Sequence, residues 1–182
     1  MARMTIGIPV FNEEKYVAAT VKSALRQVED FSDLEIILSD NGSDDSTVEQ
    51  IEQALAEVQN AGRYARLIKH DQNLGVDHNF WSTFDDSDSE FFMWLGAHDQ
   101  LSIGFVGEGI EFMMRSPDFS MFSGAHAVIG SEGPAVVKPF NYNFSQENAV
   151  DRYLTSIREL TNCYILHSIF RRDTLKDFIR RS

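Results

Sequence analysis

The run Phe91-Phe92-Met93-Trp94-Leu95 is apolar throughout and passes directly into Gly96-Ala97-His98-Asp99-Gln100, a short polar loop with one carboxylate. A continuous apolar run of this length reads as a buried strand. In an open α/β sheet such strands deliver acidic residues from their carboxyl ends to ligand and metal sites. Taken alone the loop is a thin ligand set, because a hard divalent ion prefers several oxygens.

The same grammar recurs upstream. Met4 to Pro9 reads as a strand buried on both faces, and Asn12 stands where an N-cap belongs, with Glu13 and Glu14 in a first turn favoured by the helix dipole. Val17, Val21, Ala24 and Leu25 follow at helical spacing. Leu34 to Leu38 leads into the polar loop Ser39-Asp40-Asn41-Gly42-Ser43-Asp44-Asp45, after which Ser46 and Glu49 predict a capping box ahead of the stripe Val48, Ile51, Leu55 and Val58. Strands are then expected at Tyr64 to Ile68 and Glu90 to Leu95, on either side of a helix from Val76 to Phe84. Strand, polar loop and helix in alternation imply an α/β fold: a mostly parallel open sheet flanked by helices, Rossmann-like in layout.

The second half is less regular. A helix from Ile103 to Arg115 precedes strand-like runs at Phe119 to Phe122, Ala125 to Ile129 and Ala135 to Val137, broken by Gly130, Gly133 and Pro134. Helical stripes return at Val150, Tyr153, Leu154 and Ile157, and at Leu175, Phe178 and Ile179. With no internal repeat and no linker, residues 1–182 read as a single domain.

A formal charge of −12 argues against a nucleic-acid binder, which holds phosphates with clustered Lys and Arg. Arg171-Arg172 and Lys176 to Arg181 read as a solvated helix face. An acidic chain takes an anionic ligand locally, through helix N-termini, backbone amides or a metal. The single cysteine, Cys163, sits in an apolar stretch resembling a buried strand, excludes an internal disulfide and suggests a reducing cytoplasm. No segment resembles a signal peptide or reaches the roughly 20 apolar residues of a membrane span. His70, His126 and His167 show no ligand spacing among themselves and read as structural or surface residues without a metal role, and Asp85 to Glu90 reads as a solvated turn lacking the EF-hand pattern.

Three polar loops leave strand ends: Pro9-Val10-Phe11-Asn12-Glu13, Ser39 to Ser43 and Gly96 to Asp99. Together they offer an aromatic face, acceptors for a nucleobase N–H and a carboxylate able to hold a metal on a diphosphate. With Asn73-Leu74-Gly75 and Asn79 as a third motif, the first hundred or so residues resemble the inverting GT-A glycosyltransferases of family 2. The resemblance implies that residues 1–100 bind a nucleotide sugar and that 101–182 are part of an acceptor-side half. It places Phe11 against the base, though a Phe after a buried strand can also be core. Pro9 and Val10 would offer backbone groups to the base, and Glu13 would either meet the ribose or cap a helix.

Asp40 and Asn41 occupy the position of the family's uracil-reading acidic pair, an Asx-turn being the alternative. Asn79 follows His78 where relatives carry Arg-Asn, and His78 reads as an exposed helix residue. Asp99 matches the carboxylate that contacts Mn²⁺ or Mg²⁺, while His98 replaces an acid expected to reach the ribose or the metal. That exchange predicts weakened binding of a divalent cation, biased toward manganese.

Inverting transfer needs a general base for the acceptor hydroxyl. No acidic residue after Asp99 stands in the family's context, so the base is expected beyond Ser182 and the chain reads as truncated. The resemblance thus implies a glycosyltransferase moving a sugar from a UDP-, TDP- or GDP-linked donor to a glycan or lipid-linked acceptor. It would work in the cytoplasm, including at the inner face of the membrane. The alternative is a catalytically degenerate nucleotide-sugar-binding module of the same fold. A nucleotidyltransferase ranks last, because its glycine-rich basic phosphate loop is absent.

Overall fold

A computed structural model of the chain describes residues 2–128, 136–138, 148 and 167–179. Cys163 and the stripe from Val150 to Ile157 lie outside the described residues. The elements run β1 (Met4–Val10), α1 (Val17–Asp30), β2 (Leu34–Asp40), α2 (Thr47–Glu57), α3 (Ala61–Tyr64), β3 (Ala65–Lys69), α4 (Val76–Asp85) and β4 (Phe91–Trp94). They continue with α5 (Phe105–Arg115), β5 (Met121–Phe122), β6 (His126–Val128), β7 (Val136–Lys138), β8 (Ile169–Arg171) and α6 (Arg172–Ile179). Six strands form one sheet in the order β3-β2-β1-β4-β8-β5, with β3, β2, β1 and β4 parallel and β8 antiparallel to both of its neighbours. The expected mostly parallel sheet is therefore present, and β6 and β7 pair separately as an antiparallel ribbon.

The apolar runs divide by strand periodicity between two cores. Met4, Ile6, Ile8 and Val10 join Ile36, Leu38, Phe91, Met93 and Leu95 under the apolar stripes of α1, α2 and α5. The opposite face carries Phe92 and Trp94 against Phe84 and Phe80 of α4 and Leu175 of α6. There β1 presents Thr5 and Gly7, and α4 lies so close that a Cβ on Gly7 would stand 2.6 Å from Thr83 Oγ1 and 2.7 Å from Phe92 Cζ.

Three local expectations are corrected. Asn12 does not cap α1: it adopts a left-handed φ of 54°, its side chain is taken by Asp44, and the helix starts at Val17 after a turn in which the Glu13 carbonyl accepts the Tyr16 and Val17 amides. The Ser46–Glu49 capping box does not form: Ser46 makes no side-chain cap hydrogen bond, and the Ser46 amide that Glu49 would take donates to Glu14 Oε2 at 3.2 Å. Arg171 and Arg172 are not a solvated face. Arg171 binds the carbonyls of Phe119 and Met113, while buried Arg172 lies 4.7 Å from the Phe84 ring and donates to Ser87 Oγ and the Phe84 carbonyl. Both arginines tie the antiparallel edge to the helices and loops that flank the sheet.

Gly7→Ala should lower the unfolding free energy by about 1–3 kcal/mol through overpacking between β1 and α4. Urea denaturation reads this, and an unchanged midpoint would contradict so close an approach.

Candidate functional site at the carboxyl edge of the sheet

Parallel pairing in register sets Val10 beside Asp40 and Gly7 beside Trp94, so the loops leaving β1, β2 and β4 open on one edge. The Val10 carbonyl accepts the Asn41 amide at 2.9 Å and Asn79 Nδ2 at 3.1 Å. Both lone pairs of that oxygen are thereby used, which leaves it none for a base. Asn79 is buried in α4, and its Oδ1 is buried without a hydrogen-bond partner. Phe11, the next residue after β1, is 42% exposed, so it is not a core residue.

The first two loops are clasped together. Asn12 Nδ2 donates to Asp44 Oδ1 at 2.7 Å while Asn12 Oδ1 accepts the Asp44 amide at 3.0 Å. The Glu13 amide reaches Thr47 Oγ1 at 2.7 Å, and the Glu14 amide reaches Asp45 Oδ2 at 3.3 Å. Burial pushes the Asp45 carboxyl upward, but hydrogen bonds from the Thr47 hydroxyl and amide and from the Glu14 amide outweigh it, leaving Asp45 below the ordinary 3.8. Gly42 turns the second loop with φ 72°, where a Cβ would meet the Gln72 backbone at 2.7 Å.

Asp40 and Asn41 are both buried, and both have internal work. Asp40 takes the Ser43 hydroxyl at 2.5 Å and the Ser43 amide at 3.2 Å, which is the Asx-turn geometry. Asn41 donates to Asn73 Oδ1 and the Gly75 carbonyl and accepts the Leu74 amide at 2.9 Å. It therefore bolts the Asn73-Leu74-Gly75 turn to the end of β2. His78 is exposed, with its ring edge-on to His70 at 5.3 Å, and His70 Nε2 lies 3.1 Å from Ser39 Oγ.

The loop after β4 is held by a row the sequence reading missed. Thr20, Ser23 and Gln27 are buried polar residues on the apolar face of α1. Thr20 Oγ1 donates to the Ala97 carbonyl at 2.8 Å, Ser23 Oγ accepts the Leu101 amide, and Gln27 bridges the Val106 amide and the Ser102 carbonyl. Three polar residues at helical spacing within an apolar stripe were the available signal.

Within this loop His98 Nδ1 lies 3.0 Å from Glu13 Oε1, so Glu13 meets the third loop and caps no helix. Asp99 Oδ2 lies 3.4 Å from Nε2 of His167, a residue just before β8. His98 and Asp99 are adjacent in sequence, but their side chains have different partners. Among the described residues no group of three or more His, Cys, Asp or Glu side chains could hold a metal ion.

This geometry has relatives. The sequence profile of Glycosyl transferase family 2 matches residues 5–174. The chain belongs to this family. It is 30% identical over 104 residues to the GalNAc(5)-diNAcBac-PP-undecaprenol beta-1,3-glucosyltransferase of Campylobacter jejuni, a match covering 57% of this chain and 32% of that protein. Among solved structures it resembles S. aureus TarS 1–349 in complex with UDP, with a TM-score of 0.68 at 16% identity, covering 98% of this chain and 49% of that one. It also resembles the mannosyltransferase PcManGT of Pyrobaculum calidifontis in complex with GDP-Man and Mn²⁺, with a TM-score of 0.67 at 14% identity over 97% and 46% of the two chains. These likenesses show a GT-A fold, and the chain spans about a third of the curated relative and about half of the solved ones.

Two outcomes follow for the family 2 domain. Gln27→Ala should cost about 1–3 kcal/mol by leaving the buried Val106 amide unpaired, with faster hydrogen exchange at that amide. Asp45 has a depressed folded value, so its stabilisation is complete above the unfolded value of about 3.9 and is lost as pH falls through the folded value. The stability deficit of Asp45→Asn, read from urea midpoints, should therefore shrink as pH drops below about 4.

Proposed function

We propose that this family 2 domain is the donor-binding part of a glycosyltransferase that takes a sugar from a nucleoside diphosphate and passes it to a glycan or lipid-linked acceptor. The observation that carries this reading is the convergence of the Phe11–Glu13, Asp40–Asn41 and His98–Asp99 loops on one edge of the sheet, with the unpartnered Asn79 Oδ1 beside Val10. Supporting it are the solved neighbours in complex with UDP, UDP-GlcNAc and GDP-Man. The undecaprenol-linked substrate in the name of the Campylobacter jejuni relative supports a lipid-linked acceptor.

In this reading residues 1–100 form the donor half and 101–182 part of the acceptor half. Phe11 packs on the base, Pro9 and the Val10 amide line it, and Asp40 or Asn41 shares an acceptor with the base N–H. Glu13, joined to His98, faces the ribose, and Asn79 lies along the nucleotide. The donor set suits a divalent cation, since a carboxylate oxygen and an imidazole nitrogen stand at coordination-edge spacing on the strand end, with the remaining ligands left to phosphate and water. Such an ion supplies charge neutralisation at the leaving diphosphate. A mixed O,N set favours manganese over magnesium, in keeping with the Mn²⁺-bound neighbour. No helix among the described residues is long and apolar enough to cross a membrane. We place the enzyme in the cytoplasm, peripheral to the inner face of the membrane where a lipid-linked acceptor would be presented, and its product feeds polysaccharide assembly.

Calorimetric titration with UDP, TDP and GDP in Mn²⁺ or Mg²⁺ tests the reading. Binding of one nucleotide is expected, tighter with Mn²⁺ by about tenfold, and weaker by about tenfold or more in Asn79→Ala. Failure of all three nucleotides with either ion would overturn it. Nucleotide binding without sugar transfer in the full-length protein would identify the degenerate module instead.

A further inference from the structure

We infer that the second protein ligand of the divalent ion is His167 and not His98, so that the metal centre joins the β4 loop to the residue that enters the antiparallel strand β8. The inference rests on the donor-binding reading above and specifies its metal site.

The ring of His167 carries the argument. Its Nδ1 lies 3.1 Å from the Trp94 carbonyl, an oxygen that can only accept, so Nδ1 bears the proton. In the neutral ring that assignment leaves the lone pair on Nε2, and Nε2 faces Asp99 Oδ2 at 3.4 Å. Two acceptors brought face to face repel unless a proton or a metal ion lies between them. Ligand bonds of about 2.1 Å at 90–109° separate neighbouring donor atoms by about 3.0–3.4 Å, which matches the observed spacing. A backbone carbonyl that fixes the tautomer through the far nitrogen is also the usual support of a metal-bound histidine.

The surrounding space agrees. A Cβ on Gly96 would stand 2.6 Å from Asp99 Oδ2 and 3.5 Å from His167 Cε1, so the missing side chain keeps the cleft between them open. His167 is 23% exposed and Asp99 44%, which leaves a route for an ion and for further oxygen ligands. His98 is differently placed: its side chain is 59% exposed and its Nδ1 is engaged by Glu13. It acts as a positioning residue that joins the first and third loops.

Two protein ligands leave most of an ion's coordination sphere to diphosphate oxygens and water. The ion should thus bind well only together with a nucleotide. The test is electron spin-echo spectroscopy of Mn²⁺ added to the chain with UDP and, separately, with GDP, reading nitrogen hyperfine coupling from imidazole. Coupling should be present in the parent protein, persist in His98→Ala and vanish in His167→Ala, with Mn²⁺ affinity falling at least about tenfold in the latter. Should His167→Ala not fold, His98→Ala alone decides, because loss of coupling there would overturn the assignment. Coupling that survives in folded His167→Ala, or none in the parent while UDP or GDP still binds, would also overturn it and leave the donor-binding reading intact. Absence of nucleotide binding with and without Mn²⁺ would instead defeat both.

Discussion

One carbonyl oxygen organises the candidate site. Val10 ends the central strand β1, and its oxygen receives the amide of Asn41 from the β2 loop and the side-chain amide of Asn79 from α4. A buried carbonyl must be paired, and here the pairing decides where two loops and a helix begin. Asn41 passes the constraint on by holding the Asn73-Leu74-Gly75 turn, from which α4 starts. Small residues on that face of β1 let α4 settle against the sheet. The crevice is thus built around a strand end rather than added to it.

The third loop obeys a different constraint. It is pinned from below by Thr20, Ser23 and Gln27 of α1 and met from the side by Glu13. Its Asp99 end is then met by His167, drawn in by the antiparallel pairing of β8 with β4. That pairing makes the irregular second half part of the site, because the strand beside β4 supplies a ring against Asp99.

Much of the sheet was legible in the sequence. Strands buried on both faces are continuous apolar runs, and β1, β2 and β4 show them, so their existence and parallel order followed from hydrophobic pattern and chain connection. The loops were legible as well, since Asn, Asp and Gly clusters interrupt those runs. Helix caps were less so. Asn12 and Ser46 have the residue types of caps, but Asp44 takes the Asn12 side chain and Glu14 the Ser46 amide, a contest between loops that local sequence does not rank. The arginines before and in α6 misled for a related reason: a charged pair reads as solvated until carbonyls and a ring from distant elements surround it.

By itself the sequence determined the α/β class, the order of the loops at the carboxyl edge and the family to which the chain belongs, because each depends on short-range periodicity or on motifs contiguous in the chain. Only the tertiary structure decided the partners within the site. Side chains adjacent in sequence, His98 and Asp99, are turned to different neighbours, whereas Asp99 and His167, far apart in the chain, face each other. The reason is that a ligand set is defined by distances of a few ångströms across strands, and those distances are fixed by sheet pairing and packing, which act between segments and leave no pattern in either one.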